Sequence, residues 1–109
     1  MKEIKAIIRP ERLSTVLQAL HDMPRLPGVT VSHVRGFGRQ VPADPEGEAF
    51  AAVDMTKLEI VVPADLAGDV VRAIERAAHT GRAGDGKIFT ASVDEAVRVR
   101  SGERDLSAL

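Results

Sequence analysis

Residues 80–89 place three glycines, one acid and two cations between an apolar-periodic helix and a β-rich segment, in the sequence TGRAGDGKIF. The glycines allow positive φ angles, so that successive N–H groups can face one anion. Arg82 and Lys87 add positive charge beside them. The pattern is typical of a polyphosphate site, and also of a helix C-cap glycine followed by a tight turn with a solvated lysine.

The same stretch also matches the beginning of a P-loop, from Gly81 to Lys87. Ile88, however, stands where the magnesium-binding Ser or Thr of a P-loop belongs. The order of elements is also reversed, because a helix precedes the glycines and a strand follows them. We therefore exclude a P-loop.

A second glycine pair surrounds an aromatic residue, in the sequence Gly36-Phe37-Gly38-Arg39-Gln40. Two glycines allow the backbone to approach a ligand closely, and the Arg and Gln side chains offer donors. A lone G-x-G is weak evidence, however, and a β-bulge or a strand end also explains the pair.

Composition narrows the class of protein. The 109 residues, 44% hydrophobic and 28% charged, predict a single globular domain over residues 1–109. A net charge of −1 gives no basic footprint for nucleic acid, and no apolar run is long enough to enter a membrane. The charged start of the chain predicts no signal peptide, and without cysteine we expect a cytoplasmic protein. His21, His33 and His79 lack metal-ligand spacing, which leaves them as structural or surface residues.

Apolar periodicity predicts alternating strands and helices. We expect strands over residues 2–9, 29–35, 57–62 and 87–93, and helices over residues 11–22 and from Pro63 to about Ala78. The order β-α-β-β-α-β predicts an α+β, ferredoxin-like fold, in which a four-stranded antiparallel sheet carries both helices on one face. Apolar residues on the other face favour oligomer contacts over a monomer; they are Ile7, Val61, Phe89, Ala91 and Val93.

A long loop, from Val41 to Asp54, joins the second and third strands and is rich in Pro, Gly and acids. Hairpin loops usually have two to five residues, so a loop of this length is usually functional or disordered. Its apolar distal part, residues 49–53, either continues the third strand or docks on a partner. Residues 101–109 form a polar tail.

Several segments together resemble one family, the P-II nitrogen-regulatory signalling proteins. They cover nearly the whole chain and occur in the family's order: residues 1–10, 28–31, 34–40, 58–62, 80–89 and 97–103. The resemblance implies a homotrimer that binds ATP or ADP in clefts between subunits. It also implies a signalling protein rather than an enzyme, which binds a target transporter or enzyme through the long loop, in nitrogen regulation.

The resemblance implies a role for sixteen residues. The base and ribose would lie against Gly28, Val29, Thr30, Glu59 and Val61. The phosphates would lie against Gly84, Asp85, Gly86 and Lys87, with Arg98 and Arg100 from the neighbouring subunit. The border of the cleft would be formed by Gly36, Phe37, Gly38, Arg39 and Gln40, and Gln40 resembles the residue that helps bind magnesium and 2-oxoglutarate.

The chain also departs from the family pattern. Its long loop is several residues shorter, and the chain has no Tyr, which excludes uridylylation of a loop tyrosine. The loop has no Ser, which excludes phosphorylation of a loop serine. Met55 stands where the family usually has a lysine that helps hold 2-oxoglutarate, so 2-oxoglutarate sensing stays open. An alternative is a P-II-like regulator of a metal-efflux or other transporter that does not sense 2-oxoglutarate.

Two further classes of function compete with a nucleotide-sensing regulator. In a weak ATPase, Asp85 or Glu59 would act as base or metal ligand, although the sequence has no nucleophile–base pair. In a trimeric scaffold of related fold, nucleotide binding would be lost, although every residue that faces phosphate in the family is retained.

Overall fold

The computed structural model describes residues 1–37 and 52–109. These residues follow the β-α-β-β-α-β order that the sequence predicts. The bounds are β1 Lys2–Ile8, α1 Leu13–His21, β2 Thr30–Gly36, β3 Val53–Val62, α2 Ala64–Ala78 and β4 Gly86–Ser92. Two 3-10 segments, Pro10–Arg12 and Asp105–Ala108, precede α1 and follow β4, so the tail predicted to be merely polar includes a helical turn.

Two element boundaries differ from the sequence prediction by more than one residue. The helix predicted from Glu11 starts instead as a 3-10 turn at Pro10, and the α-helix begins only at Leu13. The fixed φ of proline suits the first position of a helical segment. Strand β3 begins at Val53 rather than Lys57, because its first residues pair with the end of β2. Val53 therefore continues the strand, whereas the loop residues before Ala52 lie outside the described residues.

The sheet has the order β2-β3-β1-β4, and every neighbouring pair is antiparallel. The two central strands, β3 and β1, follow an alternation of apolar and polar residues, as one-sided burial requires. Strands β2 and β4 form the two edges. The four-stranded ferredoxin-like sheet predicted from the sequence is confirmed.

One face of the sheet packs against both helices and forms the core. The strand residues of the core alternate along β1 and β3, and the helix residues recur at intervals of three or four. Burial of this stripe is the main favourable term for folding. The buried apolar residues are Ile4, Ala6, Ile8, Val16, Leu20, Leu58, Ile60, Val62, Leu66, Ala67, Val70, Ile74 and Ala78.

The other face of the sheet, which we call the open face, is not covered by either helix. Phe89 is 51% exposed there, and Ile7 and Val61 are half-buried. Lys57 and Lys87 flank Ile7 across the strands, so charged and apolar residues alternate on this surface. The apolar residues that the sequence assigned to this face therefore lie at a surface of the single chain.

Among the described residues, neither helix has the length and apolar character needed to cross a bilayer.

Candidate functional site

The glycine loop, residues 79–87, follows the end of α2 and includes the first two residues of β4. Gly81, Gly84 and Gly86 take positive φ angles of 86°, 92° and 107°. A Cβ at Gly86 would lie only 1.8 Å from the carbonyl oxygen of Ile7, so no other residue fits this position. The glycines are therefore required by the shape of the loop and by its contact with β1.

The Asp85 carboxylate is the centre of this loop. One of its oxygens, Oδ2, accepts the backbone N–H groups of Thr80 at 2.8 Å and Gly81 at 2.9 Å. The other, Oδ1, accepts the Thr80 hydroxyl and, at 2.8 Å, the Nε–H of Arg9. The carboxylate thus closes the loop onto the residues that follow α2.

Arg9 ties the loop to the end of β1. Besides its bond to Asp85, its terminal N–H group donates to the carbonyl oxygen of Ala83 at 2.7 Å. Its side chain is 20% exposed, and its bond to Asp85 is partly buried, whereas its bond to Ala83 is exposed. Next to it, Arg12 donates two hydrogen bonds to the carbonyl oxygen of Ala77, at 3.0 and 2.6 Å, and so caps the last turn of α2.

These bonds change the protonation of Asp85. Its pKa is held far below the ordinary value by the Thr80 hydroxyl first, and then by Arg9 and the backbone N–H groups, because all of them stabilise the charged form. The carboxylate is therefore ionised throughout the neutral range. A carboxylate of such low basicity is a poor general base, which disfavours the ATPase interpretation of Asp85.

The loop also has donors and charge that its own fold does not use. Among the described residues, no acceptor is recorded for the N–H groups of Ala83 and Gly84. Lys87 is exposed and forms no recorded ion pair with the described part of the chain. Arg82, by contrast, lies 3.9 Å from the carboxylate of Glu11, which balances part of its charge. The loop can therefore offer an anion two amides and one ammonium group.

Other residues of the predicted site lie near the opposite edge strand, β2, and on its central neighbour, β3. Thr30 on β2 pairs with Glu59, which pairs with Lys5, which in turn pairs with Phe89 on β4. Three strand spacings separate the two edges, or about 14 Å. Thr30, Glu59 and Val61 share the open face, whereas Val29 packs against the core and Gly28 is exposed. A single chain therefore does not bring this group to the glycine loop.

The end of β2 has an apolar environment on the open face of the sheet. A Cβ at Gly36 would lie 3.9 Å from the side chain of Met55 and 3.9 Å from the carbonyl oxygen of Val53. Met55 pairs with Val34 across the strands, and Phe37 is 65% exposed beside them. No charged side chain occupies the position at which the family usually has its lysine.

The two arginines predicted to reach a neighbouring subunit follow β4. Arg98 donates a side-chain hydrogen bond to the carbonyl oxygen of Leu109 at 2.8 Å, and its backbone pairs with Glu103. Arg100 is exposed, with no recorded side-chain partner among the described residues. Val99 between them is 99% exposed, so this segment extends into solvent.

Three residues of the predicted site, Gly38, Arg39 and Gln40, lie outside the described residues, as does most of the predicted partner-binding loop. The prediction of magnesium at Gln40 therefore concerns a part of the chain without a described geometry. Within residues 1–37 and 52–109, no group of three or more His, Asp or Glu side chains could hold a metal ion.

Sequence reasoning assigned no role to Arg9 or Thr80. A local signal existed for Thr80, because a hydroxyl residue and an acid five positions later enclose the first two glycines. Arg9 lies 76 positions before Asp85, so no local spacing connects the two.

Three comparisons with known proteins agree on one family. The family model described as Nitrogen regulatory protein P-II matches residues 1–103. Proteins of that name from Bradyrhizobium diazoefficiens and Azospirillum brasilense are 46% and 43% identical over 113 aligned positions, with complete coverage of both chains in each case. A solved structure, Arabidopsis thaliana PII bound to citrate, is similar with a TM-score of 0.84 and 42% identity, over 99% of this chain and 91% of that one.

Proposed function

The chain belongs to the nitrogen regulatory protein P-II family, and on that premise we propose that it is a signalling regulator that senses ATP or ADP. One observation carries the proposal: the glycine loop is held in a fixed shape in which two amides, close in sequence to Lys87, have no acceptor within residues 1–37 and 52–109. Amides and an ammonium group are the donors that a polyphosphate needs. The Asp85 carboxylate accepts four hydrogen bonds within the chain, which supports a structural role for it rather than a role as the base of a hydrolase.

We further propose that the nucleotide site is completed by neighbouring subunits of a homotrimer. Thr30 on β2 and the glycine loop beside β4 lie at opposite edges of one sheet, which favours a cleft formed between two chains. The exposed Phe89 on the open face offers apolar surface for such an assembly. A Phe89→Asp variant should therefore sediment as a monomer in analytical ultracentrifugation. A trimer of unchanged stability would exclude this face as the interface.

The proposed output is a change in the predicted 41–54 loop, whose last two residues belong to β3, and this loop binds or releases a protein target according to the nucleotide bound. A ligand shifts such an equilibrium only as far as its affinities for the two states differ. The target would be a membrane transporter or a metabolic enzyme in nitrogen regulation. In the alternative, the regulator acts on a metal-efflux or other transporter. The apolar Met55 favours a regulator that does not sense 2-oxoglutarate.

Titration calorimetry with ATP and magnesium tests the proposed function. We expect ATP to bind the wild-type protein, and we expect 2-oxoglutarate to leave its affinity unchanged. No heat of binding at millimolar ATP would refute the nucleotide sensor. If 2-oxoglutarate tightens ATP binding, Met55 does not prevent recognition of 2-oxoglutarate. That result would support a role in nitrogen regulation. Because the similar plant protein is described as bound to citrate, citrate should be titrated as a competing anion.

A further inference from the structure

We propose that Arg9 and Thr80 are positioning residues that orient the glycine loop for the phosphates, and that the Asp85 carboxylate links them without contacting the ligand. This inference rests on the proposed function, because it assigns roles within the same phosphate site. It changes the interpretation of Asp85 from a phosphate-side ligand to an internal hub of the loop.

The first argument is the hydrogen-bonding capacity of Asp85. An ionised carboxylate offers about four acceptor sites and no donor. All four are used within the chain, by the Thr80 hydroxyl, two backbone N–H groups and Arg9. The carboxylate has no donor to give an anion, and its charge would repel one. Its contribution must therefore be to the shape of the loop.

The second argument is the geometry of one peptide group. The Ala83 carbonyl belongs to the same planar peptide as the Gly84 N–H group, and in a trans peptide the two point in opposite directions. Arg9 holds this carbonyl at 2.7 Å. The Gly84 N–H is thereby directed away from the Arg9 guanidinium. Arg9 thus sets the direction of one of the two amides that the loop leaves available.

The third argument is the balance of charge. Arg9 and Asp85 neutralise each other at 2.8 Å, and Arg82 lies beside Glu11. The charge of Lys87 remains unbalanced among the described loop residues. An anionic hub can therefore lie within an anion-binding loop without cancelling its attraction for phosphate.

The fourth argument is that the loop is attached to β1 at two points. Gly86 contacts the carbonyl of Ile7, and Arg9 follows β1 directly and reaches back to the loop. A loop attached at both points loses less conformational entropy when it binds an anion. Positioning by Arg9 should therefore strengthen phosphate binding in particular.

Binding of ATP and of adenosine to the full chain, measured by NMR titration, tests the inference. Arg9→Lys keeps the charge but loses the forked geometry, and Asp85→Asn keeps the shape but loses the charge. Each should weaken ATP at least about tenfold, the scale of a lost charged hydrogen bond, and leave adenosine binding unchanged. Thr80→Val should behave likewise, and Thr80→Ser should restore ATP affinity.

Asp65→Asn is the matched control, because Asp65 also accepts a hydrogen bond from an arginine, Arg25, at 3.2 Å, outside the loop. We expect it to bind ATP like the wild type. Amide hydrogen exchange without nucleotide gives a second measurement. The N–H groups of Thr80 and Gly81 should lose protection in Asp85→Asn and keep it in the control.

The outcomes separate the two proposals. If the wild type binds ATP and the Arg9→Lys and Asp85→Asn variants bind it equally well, the positioning role is wrong and the nucleotide sensor stands. An equal loss of ATP and adenosine binding would show general unfolding of the site and would also overturn the positioning role. If the wild type binds no ATP, the proposed function fails first, and the positioning role fails with it even where the exchange pattern is as expected.

Discussion

At the β4 edge of the sheet, four hydrogen bonds to one carboxylate and a glycine packed on a carbonyl define the glycine loop. At the β2 edge, by contrast, Gly28 and Thr30 are exposed, and a Cβ at Gly28 would meet no heavy atom within 4 Å in the described part of the chain beyond its two chain neighbours. One half of the proposed nucleotide site is therefore shaped within a single chain. The other half is a surface on which a neighbour or a ligand could still change the geometry.

This difference indicates how the two halves would divide the work of sensing. A preformed anion loop favours affinity, because little entropy is lost on binding. A surface that is completed only in the assembly is better suited to change between states. Substitutions at the two edges should therefore affect different properties of the protein.

The largest effect is expected for Gly86→Ala. The added Cβ would lie 1.8 Å from the Ile7 carbonyl oxygen at a φ of 107°, so β1 and the loop must separate. We expect a loss of at least about 3 kcal/mol in the free energy of unfolding, together with loss of ATP binding. Thermal unfolding should show a decrease in Tm of more than about 10 °C. Gly28→Ala is the control at the other edge, where we expect a change within about 0.5 kcal/mol. Equal stabilities of the two variants would contradict the comparison of the edges.

Lys87→Ala should separate binding from folding at the β4 edge. Its ammonium group is exposed, so its removal should leave the unfolding free energy and the oligomeric state unchanged. We expect ATP binding to weaken by roughly 1.5–3 kcal/mol, the scale of a charged hydrogen bond. Calorimetry of Lys2→Ala, which removes a lysine from the start of β1, is the control. Unchanged ATP affinity in Lys87→Ala would show that the loop is only a turn.

The hydrogen bonds to Asp85 should also make the stability of the β4 edge depend on pH. Its folded pKa lies below the ordinary value of 3.8, so acid protonates the unfolded chain first. The contribution of Asp85 is therefore fully present above its ordinary pKa and is lost as the pH falls toward the folded value. The free energy of unfolding in urea can be measured between pH 2 and 6, a range of about two units around the ordinary pKa. We expect it to depend less steeply on pH in Asp85→Asn than in the wild type. Asp94→Asn is the control. If the unfolding free energy of Asp85→Asn depends on pH as steeply as that of the wild type, the hydrogen bonds to Asp85 do not contribute to stability as proposed.

The smallest effect is expected at the β2 edge for Arg35→Ala. Arg35 lies 3.6 Å from Asp54, but the two side chains are 72% and 84% exposed. Exposed ion pairs typically contribute about 0–1 kcal/mol, so the unfolding free energy should change by less than about 1 kcal/mol. Chemical denaturation of this variant beside Arg9→Ala should show the larger loss for Arg9. A larger loss for Arg35 would reverse the comparison between the two edges.

Much of the fold follows from local pattern. The alternation of Ile4, Ala6 and Ile8 defines the buried face of β1, and the recurrence of Leu66, Val70 and Ile74 defines that of α2. Boundaries were less accurate, because they depend on partners. Strand β3 extends to Val53 only because β2 pairs with it there.

The candidate site divides in the same way. The sequence by itself determined that residues 80–87 are a glycine loop with anion-binding chemistry, since glycine spacing and charge are local properties. It also determined the order of elements, and through several long motifs the family. Only the tertiary structure decided that Asp85 faces Arg9, because the Arg9–Asp85 pair spans 76 positions and depends on the register of β1 with β4. It likewise decided that Thr30 and Lys87 lie at opposite edges of one sheet, because strand order is set by the packing of the whole chain and not by any one segment.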